Sequence, residues 1–391
     1  MDLADKLLDA VKAMEPLIRE HAAEAERERR LSTVVVNAMR DAGLYKMFRA
    51  KARGGLEADP VTGFRVVEEV SRIDSAAGWN LGLSIGVDMF GPWFSDSTTE
   101  QVFGPEETIL GGSFNPPRKA VPVPGGYRVT GRTSFVSGAH SDTMFVGLAN
   151  IYDEADVMRK GANGAPITLM TVVPAAQGEI IDNWNTLGMS GTGSHDVALN
   201  DVFVPEERAV PFVPVKAPSA AYSGPLYRLT VWPAVATVAP PALGIARAAI
   251  DELIELATKK TPAYTVKSLR DRSVVQSQLG HAEAKLGAAR AYLHDVFDRA
   301  YADAVDGKSI TMEYKCKAQL ASTHAILAAA EAVDLVHAAV GASGIRREYH
   351  FEKYFRDVHV ITQHAFASAS RLESVGQILM GLGPEWPFFA F

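Results

Sequence analysis

Near Thr108 the chain stops repeating at helical spacing and starts to alternate, and after Pro225 the helical spacing returns. This change and its reversal constrain the fold more than any single motif. Periods of 3.6 and 2 cannot share one kind of element, so a β-rich middle must lie between two helical parts.

In the first part, Leu3, Leu7, Val11, Met14 and Ile18 share one face over 3–30, against Asp5, Lys12, Glu15 and Arg19. Ser32 is placed to cap a following helix that Gly43 ends. Two more apolar helices are expected at 61–73 and 76–94, the second apolar nearly all round and therefore buried. The middle holds short β-type runs at 109–114, 127–131, 144–149, 167–173 and 197–204. Gly125-Gly126 punctuates a hairpin there, and Asn200-Asp201 a bend. In the last part Pro240-Pro241 opens a helix through Leu256, and further helices are expected over 272–304, 310–340 and 357–380. The expected domains are helical 1–107, β 108–215 and helical 216–391.

With 391 residues, 47% of them hydrophobic, the chain can bury a large core. A net charge of −7 and no cluster of Lys and Arg argue against a nucleic-acid surface. The single cysteine, Cys316, excludes an internal disulfide and a cysteine-rich metal site. Asp2, Asp5 and Lys6 among leucines do not make a secretory signal, and no apolar run reaches the ~18 residues of a membrane span. A soluble, cytoplasmic protein is expected.

Some chemistries are missing. Gly191-Thr192-Gly193 runs on into Ser-His-Asp, and Gly381-Leu382-Gly383 into Pro-Glu-Trp, so neither is a Gly-x-Gly-x-x-Gly dinucleotide loop, and there is no P-loop. The ten histidines show no metal-ligand spacing, so no metal is expected. Gly82-Leu83-Ser84-Ile85-Gly86 matches a hydrolase nucleophile pattern, but it lies within an apolar helical run and reads as close helix packing.

Two hydroxyl-rich segments remain, Ser134-Phe135-Val136-Ser137-Gly138 and Trp184-Asn185-Thr186-Leu187-Gly188-Met189-Ser190-Gly191-Thr192-Gly193-Ser194. Small hydroxyls at a strand end can hydrogen-bond the rim of a flat heteroaromatic cofactor; alternatively, Ser137 caps its own turn. Ser113 and Asn115, in Gly111-Gly112-Ser113-Phe114-Asn115-Pro116, admit the same two readings. His364 follows Phe355, Val358 and Ile361, which with Ala365 mark the buried face of a helix. It is either a satisfied core residue or a polar group facing a cavity, with a pKa near enough to neutrality to pass a proton. Arg356-Asp357 reads as a structural ion pair at a helix start.

Together with Arg356-Asp357-Val358-His359-Val360-Ile361-Thr362-Gln363-His364, these segments resemble the acyl-CoA dehydrogenase superfamily, over nearly the whole chain. The resemblance implies an α+β fold: a helical N-terminal domain, a β-barrel-like centre and a C-terminal four-helix bundle. Phe135 then takes the place of an aromatic against the flavin ring, and Ser137 that of the hydroxyl on N5. Asp201-Val202-Phe203-Val204-Pro205-Glu206 resembles the exit from the β domain. Gly341-Ala342-Ser343-Gly344 resembles the turn that reaches a neighbouring subunit's cofactor.

One departure separates the chain from the dehydrogenases. They place a catalytic glutamate nine residues after the Arg of the Arg-Asp pair; here that residue is Ala365, preceded by His364. Alanine cannot remove an α-proton. Gln363-His364 instead resembles the two-component flavin-dependent monooxygenases. The function implied is oxygenation of a small aromatic or heteroaromatic substrate through a C4a-hydroperoxide. It uses reduced FMN or FAD, molecular oxygen and a separate NAD(P)H:flavin reductase, in a homotetramer. His364 and Ser137 would be catalytic; Ser113, Asn115, Phe135, Ser137, Arg272 and Ser343 would hold the cofactor; Trp79, Leu83 and Val87 would hold the substrate. For Arg272, a solvated helix-face charge is the alternative to a flavin-phosphate contact. Thr133 stands where the branch usually has Trp. Counting eight residues from Gly78-Trp79 reaches Val87 rather than a phenol-binding histidine, with Asp88 next, which favours a neutral, indole-type ring. The alternatives are an acyl-CoA dehydrogenase using another base, such as Glu373, and a flavin-free oligomeric binding protein.

Overall fold

A computed structural model describes residues 2–215, 218–366 and 368–391. The first of the expected domain boundaries at the C-terminal side, residue 216, lies outside the described residues. Five helices come first: α1 (Leu3–Glu28), α2 (Thr33–Asp41), α3 (Pro60–Ile73), α4 (Ser75–Asp88) and α5 (Asp96–Phe103). Their starts follow from capping. Asp2, Asp59, Asp74 and Ser95 each accept a backbone N–H of the first turn, which satisfies a donor the helix cannot use. Ser32 does precede α2, though its side chain makes no cap bond. α4 ends at Asp88, earlier than expected, because Pro92 lies in a separate 3₁₀ turn at Gly91–Trp93. Gly82 and Gly86 do serve packing: a Cβ on either would lie 3.0–3.1 Å from Thr237 atoms.

Seven strands follow in one sheet: β1 (Leu110–Val123), β2 (Gly126–Val136), β3 (Met144–Ile151), β4 (Thr168–Pro174), β5 (Glu179–Ile181), β6 (His195–Pro205) and β7 (Ala209–Pro211). Their order is β5-β6-β2-β1-β3-β4-β7, with only the β1–β3 pair parallel. One face carries its own core of Val129, Val136, Phe145, Ala149, Val197 and Leu199. The other, with Leu110, Val146, Met170 and Val172, joins the core of the helices.

Three irregularities shape this sheet. Between Ser113 and Arg118, β1 runs ahead of β3 and carries Asn115 out to solvent. Between Thr133 and Val136, β2 advances three residues while β6 advances two, from Val197 to His195. The excess is absorbed at Phe135, whose φ is 63°. On β6, Asn200 and Asp201 together face Thr130, and Asp201 has a φ of 55°. Asn200-Asp201 is therefore a bulge within a strand and not the bend expected from its turn residues.

The rest is helical: α6 (Pro225–Arg228), α7 (Trp232–Ala236), α8 (Ala239–Lys259), α9 (Ser273–Val305), α10 (Met312–Val340), α11 (Phe351–Ile361) and α12 (Arg371–Leu379). The segment expected as one helix over 357–380 is two, α11 and α12, joined by a turn that holds His364. Trp232–Lys259 and Met312–Ile345 are long and apolar enough to cross a membrane, contrary to the expectation that no run would be. The most apolar 18-residue stretch of the first is 94% buried inside the protein, as in a core helix, and that of the second 56%. A single core runs from α1 through α3, α4 and the sheet into α8, α9 and α10.

Candidate active site

The bulge in β2 presents Phe135 outward, 61% exposed, with its ring edge-to-face against Trp184 at 6.0 Å. Two residues on, Ser137 turns inward and is 8% exposed. Its hydroxyl accepts the indole N–H of Trp79 at 3.0 Å and lies 2.7 Å from the Ser194 hydroxyl. Ser194 in turn lies 2.7 Å from the Thr192 hydroxyl, which donates to the Met189 carbonyl at 2.8 Å. The Gly138 N–H and the Asn80 amide both donate to the Thr192 carbonyl, at 2.9 and 3.1 Å. The two hydroxyl-rich segments are thus one hydrogen-bonded unit, held against α4.

That unit is anchored from α11. The Met189 N–H donates to Asp357 at 2.6 Å, and the same carboxylate accepts the Ser75 hydroxyl at 2.5 Å and pairs with Lys353. Burial alone would raise the pKa of Asp357. The Lys353 charge and the bonds from Lys353, Ser75 and Met189 outweigh it and hold the carboxyl below its usual range. Arg356 donates to the Leu187 carbonyl at 2.6 Å and pairs with Glu26 and Glu352. Arg356 and Asp357 are therefore not an ion pair at a helix start. They lie in the second half of α11 and clamp the 187–189 loop from two sides.

His364 does not continue the buried face of a helix. It lies in the turn past α11, and Ala365 is exposed. Its ring meets Trp79 edge-to-face at 5.3 Å and Phe366 at 5.3 Å. Burial pushes its pKa down to about 4, so at neutral pH the ring is uncharged, and not poised near neutrality as expected. The Phe366 N–H donates to Nδ1 at 3.3 Å, which leaves the ring hydrogen on Nε2.

From His364 a run of ring contacts leads to Phe90, just past the end of α4. Phe366 meets Phe388 at 5.1 Å, Phe388 stacks near Phe114 at 6.5 Å, and Phe114 meets Phe90 at 5.0 Å. Trp79, Leu83 and Val87 follow one another at one-turn spacing on α4, and Leu83 and Val87 are the two residues of that helix not fully buried. Asp88 turns away from them and pairs with Arg49 at 3.2 Å, both 1% exposed. Trp79, Leu83, Val87, Phe90, Phe114, Phe366 and Phe388 thus belong to one apolar cluster, against which His364 packs through Trp79 and Phe366.

The remaining expected residues are dispersed. Ser113 is half-buried at the last β1–β3 pair before the irregularity and Asn115 is exposed within it. Arg272 precedes α9 in the wall of an open cavity of about 820 Å³ lined also by Tyr264, Val266 and Gln276. Ser343 accepts the Lys260 ammonium at 2.8 Å. Among the described residues, no hydrogen bond or ring contact joins Arg272 or Ser343 to Ser137 within one protomer. Glu373, the alternative base, is exposed on α12. Ser194, Phe114, Phe366 and Phe388 received no individual role from the sequence, and Asp357 only that of an ion-pair partner.

Residues 5–102 match the family model of the acyl-CoA dehydrogenase N-terminal domain, and residues 236–369 that of the acyl-CoA dehydrogenase C-terminal domain. The indole-3-acetate monooxygenase of Pseudomonas putida is 30% identical over 97% of this chain and 94% of its own. The chain is a flavin-dependent monooxygenase of the acyl-CoA dehydrogenase superfamily. The flavin-dependent monooxygenase oxygenase subunit HsaA of Mycobacterium tuberculosis is 28% identical to this monooxygenase, over 97% of each. XiaF from Streptomyces sp., solved with FADH2 and glycerol, superposes on it with a TM-score of 0.90 at 27% identity, covering 98% of this chain and 97% of its own. TdsC from Paenibacillus sp. A11-2, solved with FMN and indole, shares the fold with a TM-score of 0.82 at 21% identity, over 98% and 99%. The expected family and fold are borne out, and the flavin-free alternative falls away. The residues present suit a flavin. The exposed Phe135–Trp184 pair offers it an aromatic platform, and Ser137 retains an acceptor lone pair beside that platform.

Proposed function

We propose that this monooxygenase oxygenates a small uncharged aromatic or heteroaromatic compound, indole-type rings included. Reduced FMN or FAD would come from a separate NAD(P)H:flavin reductase. The observation that carries the reading is the apolar cluster of Trp79, Leu83, Val87, Phe90, Phe114, Phe388 and Phe366 with His364 packed against it. All its members are apolar except His364, and burial keeps His364 neutral. A flat apolar substrate gains edge-to-face contacts there, whereas a charged one loses its hydration without gaining a partner.

Reduced flavin, when bound, supplies with molecular oxygen the electrophilic oxygen atom. Phe135 would pack against its ring, Ser137 would accept a hydrogen bond from its edge, and Ser113 and Asn115 would offer polar groups at the β1 irregularity. Trp79 has committed its N–H to Ser137 and so offers the substrate only its ring. His364, neutral and with its hydrogen on Nε2, would donate a hydrogen bond to the oxygen being transferred, and could relay a proton only by taking one up on Nδ1 as it releases that on Nε2. Arg272 and Ser343 would serve the flavin of a neighbouring protomer in a homotetramer. The exposed guanidinium of Arg272, without an ion-pair partner among the described residues and on an open cavity, supports that role. We further propose a cytoplasmic location and domains at 1–107, 108–215 and 216–391, in keeping with the order of helices and strands.

The test supplies purified protein with an unrelated flavin reductase, NADH, FMN and ¹⁸O₂, and compares indole with an indole that carries a carboxylate. Incorporation of ¹⁸O into indole, with little into the carboxylate, supports the reading. Oxygenation of the charged ring alone removes the argument from the apolar cluster.

A further inference from the structure

Four contacts run in line from Trp79 to Met189, and their donors can be assigned by elimination. The Trp79 indole N–H can only donate, so Ser137 accepts at that contact. The Met189 carbonyl can only accept, so the single hydroxyl hydrogen of Thr192 is spent there. The contact between Thr192 and Ser194 then requires the hydrogen of Ser194, and that between Ser194 and Ser137 requires the hydrogen of Ser137. All three hydroxyl groups are buried, at 8%, 3% and 1% exposure for Ser137, Ser194 and Thr192, so water does not offer a cheap alternative. Ser137 is left with one unused lone pair and no free hydrogen.

We propose that Ser194 and Thr192 are positioning residues: they draw the Ser137 hydrogen away from the cofactor and make Ser137 an obligate acceptor. The proposal rests on the flavin reading above and goes beyond it. Reduced flavin carries a hydrogen on N5, and oxidised flavin carries a lone pair there. An obligate acceptor pairs with the first and opposes the second. The site thus selects the reduced cofactor by hydrogen-bond polarity, through residues that need not touch it. The anchoring of Met189 by Asp357 keeps the far end of the line in place.

The experiment measures anaerobic dissociation constants for reduced and oxidised FMN, and the midpoint potential of bound FMN. The proteins are the wild type, Ser194→Ala, Ser194→Thr, Thr192→Val and Ser137→Ala. Wild type should favour reduced FMN and hold its potential above that of free FMN. Ser194→Ala and Thr192→Val each free a hydrogen along the line, so the oxidised-to-reduced ratio of dissociation constants should fall about tenfold, in keeping with the strength of one neutral hydrogen bond. Ser194→Thr keeps the hydroxyl and should restore the wild-type ratio. In a Ser137→Ala background, Ser194→Ala should add nothing. An unchanged ratio in both Ser194→Ala and Thr192→Val overturns the proposal, as does a wild type that binds both forms equally. A wild type that binds neither form overturns the flavin reading itself, and is told apart because no ratio then exists. Should Ser194→Ala fail to fold, Thr192→Val decides alone.

Discussion

The Asp357 carboxylate on α11 receives the backbone N–H of Met189 at 2.6 Å, across 168 residues of chain. This bond joins the C-terminal helices to the loop on which Ser137 and its hydroxyl partners depend. It also places a charge in the interior, whose ion-pair partner among the described residues is Lys353, itself shared with the buried Asp74.

Removing that carboxylate should therefore unsettle the fold and the loop together. Asp357→Ala leaves Lys353 buried without its partner, a loss of about 3–5 kcal/mol for a broken buried pair. Asp357→Asn retains an acceptor for the Met189 N–H and should lose less. Chemical denaturation of both variants checks the order; equal stability in all three proteins would mean that the pair contributes nothing.

His364→Asn should cut oxygenation by ~10²–10⁴-fold, the usual worth of acid–base assistance, with little change in melting temperature. Asn keeps the volume and polarity of the position but cannot pass a proton. Product formation and thermal melting on the same preparation decide the matter. A lowered Tm with near-normal turnover would make His364 a structural residue.

The same residue sets a pH dependence. Its folded pKa of about 4 lies below the ~6.5 of an exposed histidine, so between those values the unfolded chain binds more protons than the folded one. Stability should rise with pH through that window and be lost on acidification toward 4, a slope that His364→Asn reduces. His294, likewise pushed down to about 4 by burial, adds a second contribution of the same sign. Urea midpoints measured from pH 4 to 7.5 read the effect; a slope identical in wild type and variant would count against it.

Ser137→Ala removes one neutral hydrogen bond from the cofactor's edge, a loss of ~0.5–1.5 kcal/mol. Reduced flavin should still bind, and more hydrogen peroxide should be released per product formed. Peroxide and product assayed in parallel give that ratio, and an unchanged ratio reduces Ser137 to a turn residue.

The chain by itself should not oxidise NADH at a useful rate, since no dinucleotide loop occurs in it. An unrelated flavin reductase should switch on substrate oxidation. NADH consumption coupled to product without any reductase would contradict the two-component scheme.

Much of the architecture was legible because long amphipathic runs and capping residues act locally. Asp59 and Pro60, for instance, mark the start of α3 within a few residues of each other. What stayed hidden depends on register or on distant packing. Ser134-Phe135-Val136 reads as ordinary alternation, and only the pairing with β6 reveals the extra residue that sets Ser137 beside Ser194. The apolar spacing of Val358 and Ile361 continues on paper through Ala365, yet the helix stops at Ile361, with no Gly or Pro to announce it. Phe388 joins this apolar cluster only because the tail folds back onto Phe114 and Phe366, a contact no local pattern encodes.

The bulge at Phe135 also bears on how such a chain can diverge. Because β2 carries one residue more than β6 requires, loss of the Phe135 codon would restore even pairing from Thr133 to Val136 and leave Val136 in the core. The aromatic pair proposed to hold the flavin would vanish while the sheet survived. A lineage can thus shed this chemistry through a single in-frame deletion and still inherit a well-folded scaffold.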